Sequence, residues 1–345
     1  AVTVTVSTRR RVGRTALELP VFGFGAAHLG ELYAKLDEAQ SQATLAAAWD
    51  AGVRFYDTAP WYGRGLSEHR LGGFLRTRPR NEFVVNTKVG RILHRPGDPA
   101  SFSTAPWTGG LPFEVEFNYT RDGVMRAYEQ VLQRLALNTV DSLVIHDLDT
   151  MFHTPAEVTG YLKQLTDGGG LKALEELKAA GDIKAIGVGN NVPGNLDEML
   201  AAIDVDFAIV AMPYTLLDQG VLDTSMQRCL DRGISVIIGA PFASGILVTG
   251  SGAGAMYAYG KAPPEVQAKV RGIEAVCAAH HVSMPVAALQ FPLAHPAVVS
   301  VIPGAAKPSE VQANVAALGV KIPAAFWSDL KAQGLLAANA PVPSH

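Results

Sequence analysis

Four residues stand at the ends of apolar runs in types that suit coupled proton and hydride transfer: Asp57, Tyr62, Lys88 and His146. Asp57 closes Val53–Asp57, Lys88 closes Phe83–Lys88, His146 closes Ser142–His146, and Tyr62 follows Asp57 on the next loop. A phenol titrates at about 10, too high for a base at neutral pH. A neighbouring ammonium favours phenolate and lowers that value. Lys88 can supply the charge, Asp57 can hold Lys88 in place, and His146 can donate a hydrogen bond to the reacting oxygen. Together they make an acid/base with an electrophilic partner. Taken singly each reads more plainly: a turn-capping Asp, a surface Lys, a hydrogen-bonded His, a Tyr packed beside Trp61. Their shared place at strand ends is what argues for chemistry.

For these side chains to meet, their runs must be parallel neighbours in one sheet. The strand candidates are Val21–Gly25, Val53–Asp57, Phe83–Lys88, Ser142–His146, Ala185–Asn190, Phe207–Met212, Ser235–Gly239 and Val298–Ile302. Most are nearly continuous apolar runs, as strands covered on both faces are. Between them lie helical patterns. Asp37 can cap Glu38–Ala51, which Gly52 ends, and Ser67 can open a turn through Leu75. Asp122–Leu135, Leu171–Ala180, Leu196–Ala202, Leu222–Arg232, Glu265–His280 and Ser309–Leu318 carry apolar residues at three- and four-residue spacing. Gly181 and Gly233 sit where helix C-caps belong. Eight strand-then-helix units predict an α/β fold: one (β/α)8 barrel over residues 1–345, with an N-terminal β-hairpin. The alternative, a doubly wound open sheet, fits less well because the strands are evenly spread and no linker divides the chain. Three long connections, 89–121, 147–170 and 240–264, each follow a strand and so fall at the C-terminal face, where barrels build active sites. The first carries Phe102, Trp107, Phe113, Phe117 and Tyr119, either as the aromatic wall of a lid or as a loop folded on its own small core.

Composition narrows the field. Of 345 residues 48% are hydrophobic and 18% charged, which excludes a disordered chain. The net charge of −3 offers no footprint for nucleic acid, and Arg9, Arg10, Arg11 and Arg14 read as a solvated turn. Cys229 and Cys277 lie far apart, giving neither a disulfide framework nor a thiolate metal site by themselves. No apolar run reaches the roughly 18 residues of a membrane span. The order of apolar and basic residues at the amino end is opposite to that of a secretory signal, so a cytoplasmic protein is expected. No signal for an oligomeric state is present.

At this point the motifs resemble a family. "RRVGRTALELPVFGFGAAHLG", "GVRFYDTAPWYGRGLSEHRLGGFL", "FVVNTKVGR", "VDSLVIHDLD", "IKAIGVGNN" and "VIPGAAKPSEVQAN" resemble the aldo-keto reductases over nearly the whole chain. That resemblance implies a (β/α)8 barrel using NAD(P)(H) without a metal. It implies Tyr62 as acid/base, Lys88 tuning it, Asp57 supporting Lys88 and His146 orienting the substrate oxygen. It implies cofactor contacts at Asn190, Tyr214, Pro241, Ser244, Gly245, Leu247, Gly304, Lys307, Glu310 and Asn314, and a substrate pocket of His28, Trp61, Trp107 and Asp147. The family's usual serine beside Asn190 is Gly189 here, its sixth-strand glutamine is Ala211, and the aromatic that stacks under nicotinamide is Gly239. "TKVGRIL", "DGVMRAYEQVLQRLAL", "IHDLD", "YTLLDQ" and "GAPFASGIL" resemble the subgroup of aldose 1-dehydrogenases (L-fucose or D-threo-aldose type) and pyridoxal 4-dehydrogenase, which oxidise a cyclic hemiacetal to a lactone.

Two expectations follow on specificity. Asp147 and Asp149 on the rim suit a polyhydroxylated sugar ring, ranked ahead of pyridoxal, whose flat ring the aromatic loop also suits; a general aldehyde reductase is the remaining alternative. In NADPH-using members of the family that the motifs resemble, the segment after the eighth strand supplies basic side chains to the adenosine 2′-phosphate; Gly304 and Glu310 stand at such positions here, so the resemblance implies NAD over NADP, with Lys307 as the counterweight. The stretches "GFGAAH", "GVGNNV" and "GSGAG" complete no dinucleotide fingerprint and read as tight turns.

Overall fold

The computed structural model describes residues 4–211, 213–252, 254–258 and 260–344. Eight parallel strands follow one another around the sheet: Phe24–Gly25, Phe55–Asp57, Val84–Val89, Ser142–His146, Ala185–Asn190, Phe207–Val210, Ser235–Ile238 and Val298–Val301. First and last meet through parallel bridges Phe22↔Val301 and Gly25↔Gly304, which close the barrel. The first strand is shorter than the run Val21–Gly25 because its early residues pair only at that bridge. The sixth ends at Val210, and Met212, its expected end, lies outside the described residues.

Strands two to eight, apart from the short first one, are buried on both faces. One face fills the lumen, where Phe55, Val84, Val144, Phe207, Ile237 and Val299 pack together. The N-terminal hairpin, Arg9–Arg11 against Glu18–Pro20, adds Val12, Leu17 and Leu19 to that cluster and plugs the N-terminal end. Arg10 Nη1 ties it down by donating to the carbonyls of Leu293 and Val298 at 2.9 and 2.8 Å. The outer face packs against the surrounding helices in a second, larger core.

The helices largely follow the sequence patterns. Asp37 caps Glu38–Asp50 by accepting from Gln40 N, and Thr120 caps Arg121–Leu135. Ser67 does not open its helix: Leu66–Leu75 starts after Gly65, at φ +99°, and the Ser67 hydroxyl donates to Ala26 O at 2.7 Å. The stretch from Leu222 begins as a π-turn, Leu222–Met226, before the α-helix Gln227–Arg232. The long connections hold structure of their own. The first contains the antiparallel pair Arg91–His94 and Glu114–Phe117, the second the helix Pro155–Thr166 with a Thr154/Glu157 capping box, and the third the short helix Ile246–Thr249. Among the described residues no single helix is long and apolar enough to cross a membrane.

One close approach fixes the loop that follows the second strand. A Cβ on Gly30 would lie 2.4 Å from Gly63 N and 2.5 Å from the Tyr62 carbonyl carbon. Both are backbone atoms and cannot rotate away. Gly30→Ala is therefore expected to cost about 1–3 kcal/mol, as overpacking does, and to displace Tyr62. Gly160→Ala, with nothing within 4 Å of the added carbon, lies mid-helix and should hold or raise stability. Chemical denaturation of the two variants checks this; equal stabilities would refute the constraint.

Candidate active site

The site begins with a buried ion pair. Lys88 Nζ donates to both oxygens of Asp57, at 3.0 and 2.8 Å, and to Thr58 O at 2.7 Å, so its three protons are all placed. Both side chains are only 3% exposed. Asp57 also accepts from the Asn86 amide, and Asn86 in turn accepts from Ser142 Oγ at 2.7 Å. Strand register dictates this line: Asp57 pairs with Asn86, and Asn86 with Ser142.

The pair sits next to Tyr62. Lys88 Nζ lies 5.0 Å from the centre of the Tyr62 ring. The His146 ring meets Tyr62 edge-on, centroids 6.1 Å apart at 89°, and Trp107 lies 6.0 Å away on another side. The four residues expected to act together are thus brought together at the C-terminal mouth.

His146 has a partner that sequence reasoning missed. Arg91 Nη1 lies 3.2 Å from His146 Nδ1 and 2.7 Å from Asp147 Oδ2. Burial, with the Arg91 and Lys88 charges, holds His146 well below its ordinary value, so the imidazole is neutral. The signal lay in "TKVGR", where Gly90 turns the chain at φ +118° and returns the next residue to the mouth. A Cβ on Gly90 would strike the Tyr119 ring at 2.5 Å.

Asp147 belongs to this network rather than to a substrate surface. Its Oδ2 is taken by Arg91 and its Oδ1 accepts from Asn191 Nδ2 at 3.0 Å. Asp149, fully buried, accepts from Met151 N and Asn191 N. The expectation that these carboxylates greet a sugar is corrected: both are engaged within the protein.

The aromatic residues divide between the two readings of the first long connection. Trp107 bridges Leu32 and packs edge-on against Trp61 at 5.5 Å, while Trp61 meets Phe152 at 6.2 Å. This is a wall over the site. Phe117 and Tyr119 instead pack with His153 and Tyr161, joined to the wall through Arg91. Arg64 fastens the connection by donating to the carbonyls of Thr104, Ala105 and Phe113.

The cofactor candidates lie on the other side of the mouth. Asn190 Nδ2 donates to Leu148 O at 3.1 Å, leaving Oδ1 buried without a partner. An acceptor so placed fits an amide N–H donor such as a nicotinamide carboxamide. A Cβ on Gly189 would come within 3.1 Å of Val144, and one on Gly239 within 3.1 Å of Ile209, so a side chain at either position would need its neighbour to shift slightly. Ser244 and Gly245 are half-buried, in a left-handed turn with φ +61° and +92°. Pro241 and Leu247 are buried. Tyr214 is placed elsewhere than expected: fully buried, stacked on Phe291 at 5.4 Å and edge-on to His295, it offers a cofactor no face. Glu310 Oε1 accepts from Ala306 N at 3.2 Å with the carboxylate half-exposed, Lys307 is exposed, and Asn314 is half-buried. His28 lies against Gly304, where a Cβ would come 2.6 Å from its Cδ2, and within electrostatic reach of Glu310. That puts it at the seam of strands one and eight, and gives Gly304 a packing reason to be glycine.

Residues 21–333 match the Aldo/keto reductase family. The chain belongs to this family. It is 37% identical to pyridoxal 4-dehydrogenase of Microbacterium luteolum over 338 residues, 96% of this chain and 98% of that one. It is 36% identical to D-threo-aldose 1-dehydrogenase of a Pseudomonas species over 330 residues, 94% of this chain and 97% of that one. Among solved structures, a holo-form aldo-keto reductase of Bacillus halodurans superposes with a TM-score of 0.73 at 24% identity, covering 98% of this chain and 99% of that one. This likeness shows the fold alone. The family makes the chain an NAD(P)-linked oxidoreductase on a (β/α)8 barrel.

The ion pair generates a test. Lys88→Met removes the charge beside Tyr62, so the rise of oxidation rate with pH should move upward by about 1–3 units as the phenolate becomes harder to form. It also leaves Asp57 buried and unpaired, at a cost of about 3–5 kcal/mol in stability. Initial rates across pH check the first effect; an unshifted profile would mean that another group tunes the base.

Proposed function

We propose that this enzyme oxidises a cyclic hemiacetal to its lactone, with NAD+ as the preferred cofactor. The observation that carries the reading is the Asp57–Lys88 pair beside Tyr62, with neutral His146 edge-on to the same ring. In this reading the anomeric hydroxyl lies between Tyr62 and His146. Tyr62, as phenolate, takes the hydroxyl proton, and Lys88 offsets the phenolate charge before that transfer. His146 donates to the same oxygen and keeps it in place while the C–O bond becomes C=O. The nicotinamide, when bound, supplies the acceptor for the hydride leaving the anomeric carbon. Asn190 would orient its carboxamide through Oδ1. Trp61 and Trp107 cover the reacting centre and exclude water.

Two substrate classes match the two relatives named above. The sugar reading rested on Asp147 and Asp149, whose oxygens are engaged internally. The walls that remain are Trp61, Trp107 and Phe152, which suit the flat ring of a pyridoxal-type hemiacetal. The pyridoxal class is therefore ranked first here and the aldose class second. Specificity constants for pyridoxal, L-fucose, L-galactose and D-arabinose decide between them, with lactone identified as product. A higher kcat/KM for any of the sugars reverses the ranking, and reduction of aldehydes without lactone formation overturns the proposal.

Tyr62→Phe should lower kcat by about 10²–10⁴, the worth of a general base, while the variant still folds and binds NAD+. Near-wild-type turnover would remove Tyr62 from its role. For the cofactor, Glu310 suits a ribose hydroxyl and repels a 2′-phosphate. Wild type should favour NAD+ in kcat/KM, and Glu310→Arg should shift the preference toward NADP+. A wild-type preference for NADP+ would assign control of the site to Lys307 or to the His28 side of the seam.

A further inference from the structure

A neutral imidazole carries one proton, and only the nitrogen holding it can donate. Which nitrogen that is in His146 is decided by Arg91. A guanidinium has donors and no acceptor, so the 3.2 Å contact from Arg91 Nη1 makes Nδ1 the acceptor and leaves the proton on Nε2.

Arg91 is itself enclosed, and Nη1 carries its hydrogen bonds. Its side chain is 2% exposed. Its guanidinium carbon lies 4.7 Å from the Trp61 ring centre and 4.9 Å from those of Phe117 and Phe152. Asp147 neutralises it, and Asn191 fixes Asp147 from the other side. Asp147 adopts a left-handed backbone at φ +57°, which Asp and Asn tolerate better than most residues with a Cβ. The remaining groups that face His146 are Lys88, whose charge also disfavours an imidazolium, Tyr62 at its edge, and Tyr119, whose hydroxyl donates to the His146 carbonyl at 2.6 Å. Asp147 Oδ2 lies 3.3 Å from Nε2, a longer contact than the 2.7 Å it makes with Arg91.

We propose that Arg91 is a positioning residue: through Nη1 it locks His146 as the neutral Nε2–H tautomer, with Asp147 cancelling its charge. The lock aims the single ring proton away from Arg91 and makes His146 a donor at Nε2 throughout the working range of pH. The inference rests on the reading of His146 as donor to the reacting oxygen, but its decisive measurement needs no turnover.

That measurement is a long-range ¹H–¹⁵N spectrum of full-length protein labelled at histidine, with His146→Gln used to assign the signal. Wild type should show the Nε2–H pattern for His146, unchanged from about pH 5.5 to about pH 9. In Arg91→Met the signal should become a tautomer mixture that titrates within that range, and kcat should fall about 10–100-fold with a smaller change in KM. Arg91→Met leaves Asp147 buried without its cation, so Arg91→Met/Asp147→Asn is made alongside it; asparagine tolerates the left-handed backbone. The double variant should show the same loss of a single tautomer. Arg91→Lys, which keeps a cation and a donor, should restore part of the Nε2–H population. A wild-type His146 that carries its proton on Nδ1, or a folded variant that keeps the wild-type spectrum, overturns the proposal. Absence of lactone from wild type, by contrast, overturns the functional reading and leaves the spectral result standing.

Discussion

The pairing of Asp57 with Lys88 is the constraint on which the rest of the site depends. Taking each ion out of water costs several kcal/mol, and mutual attraction offsets this only when the remaining protons and lone pairs are also satisfied. Here they are: two ammonium protons go to Asp57, one to Thr58, and the Asn86 amide completes the carboxylate. These contacts exist only if strands two, three and four hold their register, because a slip of one residue would turn each side chain to the opposite face. Barrel register and a charged site are therefore one arrangement. Tyr62 and His146 are added to it from a loop on one side and a strand end on the other.

The strands were legible because burial on both faces makes them nearly unbroken apolar runs, and Asp57, Lys88 and His146 stood out as polar residues closing such runs. Less regular pieces left fainter marks. Glu114–Phe117 alternates exposed and half-buried residues over a single short stretch, and its partner Arg91–His94 lies far upstream, so no local pattern joins them. The helix Pro155–Thr166 did carry a signature, the Thr154/Glu157 capping box, inside a stretch read as a loop. Arg91 left only a faint mark, the glycine before it: its place became clear only with the Trp61, Phe117 and Phe152 rings around it. Asp147 and Asp149 were seen, but their partner Asn191 lies on the connection after the next strand, and only the fold brings it back to them.

The mouth of the barrel is uneven. One half is walled by Trp61, Trp107 and Phe152. The other is lined by Gly189, Gly239 and Gly304, each with a neighbour that would crowd a side chain. Glycine there brings the backbone itself to the surface, so a flat group can approach the strand ends closely, while the aromatic half supplies bulk above it. The unpartnered amide oxygen of Asn190 stands on the glycine side. Division of labour between the halves follows from side-chain volume before any specific contact is considered.

Tyr62 and Arg64 occupy the same tight turn, between the backbone contact at Gly63 and the helix that begins at Leu66. Arg64 grips three carbonyls of the covering connection, and Leu111 N adds a bond to Gly63 O at 2.9 Å. The covering connection and the turn that carries Tyr62 are thus joined directly. A shift of that connection would load the turn that carries Tyr62, because Arg64 and Gly63 hold both. The same few hydrogen bonds therefore set both the height of the covering connection and the position of the Tyr62 ring.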